Sequence, residues 1–433
     1  MDNTCFQLLP QGRCTGDLVP PGDKSISHRA VMLASLAEGT SEIQGFLPSE
    51  DCLATLGAFR SMGVQVHWLA PDRIRVHGVG RLGLKAPDGV LDLGNSGTAL
   101  RILAGILCGQ TFASTLSGDA SLNRRPMKRI ADPLQAMGAN ITLQETGTPP
   151  LEIRPSTGLQ GIEYVLPVAS AQVKSCLLLA GLYAQGRTCV SEPVRCRDHT
   201  EKMLRTFSYP VETQDRQVCL VGGRSLVATE INIPGDLSSA AFFIVGTLIS
   251  SSSRLTVRNV GINPTRSGVI EILQLMGARI DIRNKRNYGE EPVADLVVSS
   301  SPLHGVDIPR ELIADAIDEF PVLFVAAACA KGTTQLSGAE ELRSKESDRI
   351  RTMVAGLQTL GIQAQEKPDG VTIKGGEFTG GTVHSGGDHR VAMAFATASL
   401  VASDAITVMD TAPVATSFPN FVGLATELGF LFE

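Results

Sequence analysis

The sequence predicts an α/β protein of two domains, each assembled from three small α/β units. Three observations carry that prediction. An apolar helix rich in Ala, Leu and Val, headed by Gly, Ser, Asn or Asp, recurs from near Gly22, Gly94, Ser170, Gly235, Asp318 and Gly387. A second pattern, Leu-x-x-Met-Gly followed by alternating residues, recurs around Met62-Gly63, Met137-Gly138, Met276-Gly277 and Leu360-Gly361, with weaker copies at Phe207-Ser208 and Leu428-Gly429. The two patterns alternate at intervals of about 65 to 84 residues, which is longer than a solenoid repeat and suits six α/β units. Chance likeness among amphipathic helices is the competing account, and six alternations tell against it.

The first helix of each unit is too apolar for a surface and belongs inside. The second carries polar positions and belongs outside. The glycine after the second helix reads as its C-cap, and Val64-Gln65-Val66 or Ile280-Asp281-Ile282 as a strand leaving it. Six units divide into three plus three, joined between Phe207 and Gly235, where Gly222-Gly223 and Pro234-Gly235 supply turns. Buried helices whose N-termini point the same way, in two facing domains, suit an anionic ligand held between them.

Composition narrows the function class. With 433 residues, 43% hydrophobic and 19% charged, the chain suits a soluble globular protein and not wholesale disorder. No apolar run approaches the roughly 18 residues of a membrane span. Met1-Asp2-Asn3-Thr4 lacks the basic start and apolar stretch of a signal peptide, so a cytoplasmic protein is expected. Nine cysteines stand singly with no Cys-x-x-Cys pair, which suggests reduced thiols and neither a disulfide framework nor a zinc site. A net charge of −6 argues against nucleic acid as partner. Anion binding must come from local clusters.

Taken in order, the first cluster is Pro20-Pro21-Gly22-Asp23-Lys24-Ser25-Ile26-Ser27-His28-Arg29. The prolines and glycine force a turn, and Ala30 to Ala37 reads as a buried helix closed by Gly39. Lys24, Ser25, His28 and Arg29 therefore lie near a helix start, which favours an anion; a capped helix with solvated basic residues is the alternative. It is not a P-loop, because Asp23 stands where that motif needs Gly. The second unit opens with Leu93-Gly94-Asn95-Ser96-Gly97-Thr98-Ala99-Leu100-Arg101. In the loop that follows, Arg124, Arg125, Lys128 and Arg129 form either a solvated face or, with Pro126 behind Arg125, a positioned cation. Ser170 opens Ser170-Ala171-Gln172-Val173-Lys174-Ser175 as an N-cap or a ligand, and Asp198 in Arg195-Cys196-Arg197-Asp198-His199-Thr200 serves equally as a cap. In the second half, Asp318 and Glu319 precede an apolar helix as caps or as an acid/base pair. In Leu342-Arg343-Ser344-Lys345-Glu346-Ser347-Asp348-Arg349, Lys345 and Arg349 share a helix face beside Glu346, unless the stretch is a surface salt-bridge run. Gly386-Gly387-Asp388-His389-Arg390 opens the last apolar helix, and His384 and His389 are too isolated for a metal.

Four of these motifs resemble, in order, those of the 5-enolpyruvylshikimate-3-phosphate synthase family. They are Pro21-Gly22-Asp23-Lys24-Ser25-x-x-His28-Arg29, Leu93 to Arg101, Arg343 to Arg349, and Asp388-His389-Arg390-Val391-Ala392-Met393. The resemblance spans essentially the whole chain. It implies a two-domain inside-out α/β barrel, each domain of three βαβαββ repeats with buried helices. Residues 1–20 plus 236–433 would form one domain and 21–235 the other, with the active site in the cleft between them.

The implied reaction transfers the enolpyruvyl group of phosphoenolpyruvate to the 5-hydroxyl of shikimate 3-phosphate, in aromatic amino-acid biosynthesis. By position, Lys24 touches both substrates. Ser25, Arg29, Ser170, Ala171, Gln172, Arg197, Asp318 and Lys345 hold shikimate 3-phosphate, and Gly97, Arg125, Gln172, Arg349 and Arg390 surround phosphoenolpyruvate. Asp318 is the implied base, while Glu346 and Lys24 are candidates to protonate the vinyl carbon. No metal or cofactor is implied, the chain is expected to be a monomer, and glyphosate is the expected inhibitor. Two phosphates and two carboxylates bring a charge of about −5 to −6, so cations from both halves are needed to place the substrates in contact.

Two departures stand out. Many members carry Lys before Thr-Phe-Pro near the C-terminus, but here the run is Ala415-Thr416-Ser417-Phe418-Pro419, with Thr416 in place of that cation. The glyphosate-tolerant branch shares Arg197-Asp198-His199 and Ala415 to Pro419 with this chain, yet has Ala where this chain has Gly97. The sister transferase acting on UDP-N-acetylglucosamine carries a loop cysteine aligning near Ala120, and no cysteine lies between Cys108 and Cys176. An inactive anion-binding scaffold is the alternative of another class. The retained lysine, carboxylates and arginines tell against it.

Overall fold

The computed structural model describes residues 4–433. The chain divides into two compact units. The N-terminal unit comprises Gly22–Ile233 with Tyr288–Glu291, and the C-terminal unit comprises the chain up to Pro21, Pro234–Asn287 and Pro292–Glu433. Each has its own hydrophobic core.

The cores are built on six helices. In the N-terminal unit these are α1 (Lys24–Leu36), α2 (Gly97–Leu107) and α3 (Ala171–Gly181). The C-terminal unit has α4 (Leu237–Ile249), α5 (Phe320–Ala328) and α6 (His389–Ala398). Beyond their opening residues they are apolar on every side; α4, for example, is buried from Leu237 to Leu248. A helix without a polar face is stable only as a core element. Five of the six are capped by a side chain that accepts from the first turn: Asp23, Ser96, Ser170, Asp236 and Asp388. α5 lacks such a cap, and Pro321 in its first turn has no N–H to satisfy.

The outer helices end as the second sequence pattern predicts. Gly63, Gly138, Gly277, Gly361 and Gly429 all take positive φ, between 85° and 105°, and Ser208 does the same at 60°. One boundary differs from expectation. α1 stops at Leu36, and Gly39, at φ 107°, lies within the strand Ala37–Gln44 instead of closing the helix.

Six sheets, three in each unit, pair in related ways. Leu91–Asp92 runs parallel to Ser114–Ser117, which is antiparallel to Leu151–Arg154, itself antiparallel to Asn140–Thr142. Three leading strands are exchanged. Gly16–Leu18 precedes α1 in sequence but pairs in parallel with Arg254–Gly261, after α4. Leu226–Val227 and Glu230–Asn232 precede α4 but pair in parallel with Ala37–Gln44, after α1.

The expectation of reduced thiols throughout is corrected at one place. Cys189 and Cys219 form a disulfide across neighbouring antiparallel strands, where they stand directly opposite with Cα atoms 4.2 Å apart. Their separation of 30 residues carries no sequence signal, because only the strand register brings them together. Among the described residues, no helix is long and apolar enough to cross a membrane.

Candidate active site

In the N-terminal unit, the starts of α1, α2 and α3 are tied to one another. Close backbone approach sets the entry to α1: a Cβ on Gly22 would lie 1.8 Å from the Gly45 carbonyl oxygen. Asp23 accepts from the Ile26 N–H, and Lys24 Nζ donates to Asp51 Oδ2 at 3.0 Å. Arg29 is 4% exposed. It donates from Nε to Thr200 Oγ1 at 2.7 Å, from Nη2 to Ser175 Oγ at 2.8 Å, and from Nη1 to the Ser25 carbonyl at 2.9 Å. Burial, with a smaller contribution from Arg197, brings Arg29 down to about 10 against the pull of Glu201 and Asp23.

His28, fully buried, joins α1 to α2. Its Nδ1 lies 2.7 Å from Thr55 Oγ1 and its Nε2 3.5 Å from Oγ of Ser96, the cap of α2. Burial first, then the charges of Lys24 and Arg29, push its pKa down to about 3. The ring is therefore neutral at physiological pH.

Gly97 begins α2 in the crook of two arginines. A Cβ there would meet Arg101 Nη1 at 2.8 Å and Arg125 Nη1 at 3.1 Å. The position is thus bounded by guanidinium tips. Arg125 donates to Asn95 Oδ1 at 2.7 Å and Arg129 to Ser170 Oγ at 2.8 Å, so two of the four loop cations are positioned, while Arg124 and Lys128 are exposed. Gln172, near the start of α3, accepts from Arg101 at 2.8 Å and donates to Thr98 Oγ1 at 3.0 Å. Ser170 takes both roles left open by the sequence: it caps α3 at the Val173 N–H and accepts from Arg129 at 2.8 Å. Ala171 is the first residue of α3. Arg197 is half-buried, and Asp198 makes no side-chain cap but lies 3.2 Å from Lys202 Nζ. Asp198, His199 and Glu291 have the donor atoms for a metal, yet Lys202 also lies 3.8 Å from Glu291 and already supplies a cation there.

The C-terminal unit gathers Asp318, Lys345, Glu346, Arg349 and Arg390. Arg349 is 1% exposed and so stands outside a solvated salt-bridge run, whereas Arg343 in the same stretch does form partly exposed pairs with Asp348 and Glu366, each at 2.8 Å. Its Nε donates to Asp388 Oδ2 at 2.8 Å, its Nη2 to Glu346 Oε2 at 2.7 Å, and its Nη1 lies 3.4 Å from Asp318 Oδ1. Burial alone would lower the pKa of Arg349, but Asp388, Glu346 and Asp318 outweigh it and push it up. Lys345 and Arg349 do not share a helix face as expected. Lys345 follows the 3-10 turn Glu340–Ser344, and Arg349 opens the next helix, Arg349–Thr359. What they share is Asp318, 3.5 Å from Lys345 Nζ. Lys345 also donates to Glu341 at 2.8 Å.

Glu319, the N-cap residue of α5, makes no side-chain cap. Asp318 faces Lys345 and Arg349. Glu319, buried, accepts from Ser238 and lies 3.6 Å from Arg390 and 3.9 Å from Arg266. Arg390 Nη1 donates to the Asp318 carbonyl at 3.1 Å. Thr416, standing where a lysine was expected, turns its hydroxyl to the Pro413 carbonyl at 2.7 Å and contributes no cation. Sequence reasoning missed Asp388, Arg129, Ser175 and Thr200 as partners of site residues. All four lie in stretches already singled out, but only tertiary contact reveals whom they serve.

Known proteins resemble this chain over nearly its whole length. The family model described as EPSP synthase (3-phosphoshikimate 1-carboxyvinyltransferase) matches residues 9–424. A 3-phosphoshikimate 1-carboxyvinyltransferase of Methylococcus capsulatus is 59% identical, covering 99% of this chain and 98% of that protein. One of Legionella pneumophila is 55% identical, covering 99% of each. The solved EPSP synthase of Acinetobacter baumannii superposes with a TM-score of 0.90 at 51% identity, over 99% of both chains. Over nearly its whole length, the chain belongs to the EPSP synthase (3-phosphoshikimate 1-carboxyvinyltransferase) family.

Proposed function

We propose a division of labour between the two units in the enolpyruvyl transfer of this family. Lys24, Ser25, Arg29, Ser170, Ala171, Gln172 and Arg197 receive shikimate 3-phosphate, helped by Lys345 and Asp318. Gly97, Arg125, Gln172, Arg349 and Arg390, with Lys24, receive phosphoenolpyruvate. Domains of residues 21–235 and of 1–20 plus 236–433 bring these groups to the same pair of substrates across a cleft. Asp318 takes the proton of the 5-hydroxyl as its oxygen bonds to C2 of phosphoenolpyruvate. Glu346 or Lys24 gives a proton to C3, forming a tetrahedral adduct. Loss of phosphate and of a C3 proton then leaves the enol ether. Proton transfer and preorganised charge supply the catalysis.

The observation that best supports this reading is the clustering of cations at the starts of buried helices in both units, with an aimed carboxylate, Asp318, in one of them. A monomer working in the cytoplasm, inhibited by glyphosate at the phosphoenolpyruvate site, completes the proposal. Phosphate release should require both phosphoenolpyruvate and shikimate 3-phosphate. Equal turnover with UDP-N-acetylglucosamine in place of the shikimate would overturn it.

A further inference from the structure

We propose that Thr200 and Ser175 are positioning residues for Arg29, gripping its guanidinium with neutral acceptors so that its charge remains available to an arriving anion. The proposal rests on the assignment of Arg29 to shikimate 3-phosphate made above. A buried guanidinium ordinarily pairs with a carboxylate, since burial of an unmatched charge is costly. Here the Nε and Nη2 groups, the edge a carboxylate would take side-on, go instead to two hydroxyls at 2.7 and 2.8 Å.

Those hydroxyls lie 2.7 Å from each other, and both residues are buried. Each therefore restrains the other. Serine on α3 and threonine on the helix His199–Thr206 thus imitate the shape of a carboxylate without its charge. The bond from Nη1 to the Ser25 carbonyl fixes the third nitrogen. Three of the five N–H groups are then used, and one on each terminal nitrogen is left to meet a ligand.

Nearby carboxylates are committed elsewhere. Asp23 caps α1, and Glu201 lies 2.6 Å from Nζ of the buried Lys174, which also contacts Glu192. Their fields support the charge of Arg29 without occupying its donors. A carboxylate in place of the hydroxyl pair would compete with the substrate for the same cation.

Steady-state kinetics on the full chain tests this. Thr200→Val keeps the shape and removes the acceptor. It should raise KM for shikimate 3-phosphate about tenfold, with kcat and KM for phosphoenolpyruvate changed less than about twofold. Thr200→Ser should restore the wild-type value, and Ser175→Ala, a second route should Thr200→Val fail to fold, should raise the same KM. In an Arg29→Ala background, Thr200→Val should add less than about twofold, because the two act as one unit. A wild-type KM in Thr200→Val, or a full loss that persists without Arg29, would overturn the positioning role. Arg29→Ala with unchanged KM for shikimate 3-phosphate would instead overturn the assignment of Arg29 on which the role depends.

Discussion

Arg29 of the N-terminal unit and Arg349 of the C-terminal unit are both buried, yet they are held by different chemistry. In the N-terminal unit, Arg29 donates to the hydroxyls of Thr200 and Ser175 and to the Ser25 carbonyl, and Arg129 to the Ser170 hydroxyl. In the C-terminal unit, Arg349 is ringed by Asp388, Glu346 and Asp318, while Lys345 and Arg390 face Glu341 and Glu319. Neutral acceptors satisfy hydrogen bonds and leave charge to attract a ligand. Carboxylates fix a cation more firmly but cancel its field, and they add groups that can exchange protons. The first arrangement suits capture of anions, and the second suits chemistry upon them.

If that contrast is sound, substitutions in the C-terminal unit should cut deepest into turnover. Asp318→Asn keeps size and should lower kcat on the order of 10²-fold or more while shikimate 3-phosphate still binds by calorimetry. Wild-type kcat in that variant would end the assignment of Asp318 as base. Glu319→Gln loosens Arg390 without touching the proposed base. KM for phosphoenolpyruvate should rise about fivefold, more than KM for shikimate 3-phosphate, and equal rises would show that Glu319 serves only the fold.

Gly97→Ala probes the other unit. Its methyl would press on Arg101 and Arg125, so KM for phosphoenolpyruvate should rise a few-fold. The inhibition constant for glyphosate, the longer ligand, should rise by a larger factor. Equal rises would refute the steric account.

The smallest effect concerns acid stability. His28 has a folded pKa of about 3 against 6.5 for a free side chain. The unfolded chain therefore binds the proton first, and this contribution to stability, present above pH 6.5, is lost progressively as pH falls toward 3. Asp388 is held below its ordinary value of 3.8; burial would raise it, and Arg349 outweighs burial. Its contribution is kept until pH falls below 3.8. The neutral tie of the N-terminal unit should thus weaken at milder acidity than this charged one. His28→Gln should flatten the slope of unfolding free energy between pH 6.5 and 4 by up to about 1.4 kcal/mol per pH unit. An unchanged slope would mean that His28 titrates normally in the fold.

What the sequence could reveal was local. Helix starts at Asp23, Ser96 and Ser170, and left-handed ends at Gly63 or Gly277, depend on a few neighbouring residues, so pattern and cap chemistry disclosed them. The Cys189–Cys219 bond and the exchanged strands depend on register between distant segments, which no short motif encodes. The candidate site divides in the same way. Arg29 and Arg349 stand out as cations in motifs, and Glu346 lies three residues from Arg349 in the same one, but the hydroxyls of Ser175 and Thr200 around the first and Asp318 and Asp388 around the second are matters of tertiary contact. The expected shared helix face of Lys345 and Arg349 failed because the spacing of four crosses a break between helices.

The exchanged strand has a consequence for how the chain is made. Thr15 bonds through its hydroxyl to the Arg254 carbonyl, 239 residues away, and Gly16–Leu18 beside it pairs with Leu255 to Val257. This strand is synthesised before all of Gly22–Ile233, yet its partner follows all of it. A nascent chain must keep those residues in waiting while an entire three-repeat unit is translated, and loop closure over that distance makes the pairing a late event. The C-terminal unit is therefore sewn shut by a stretch made before the whole of the N-terminal unit, and a fragment starting at Gly22 would leave Leu255-Thr256-Val257 as an open edge prone to self-association.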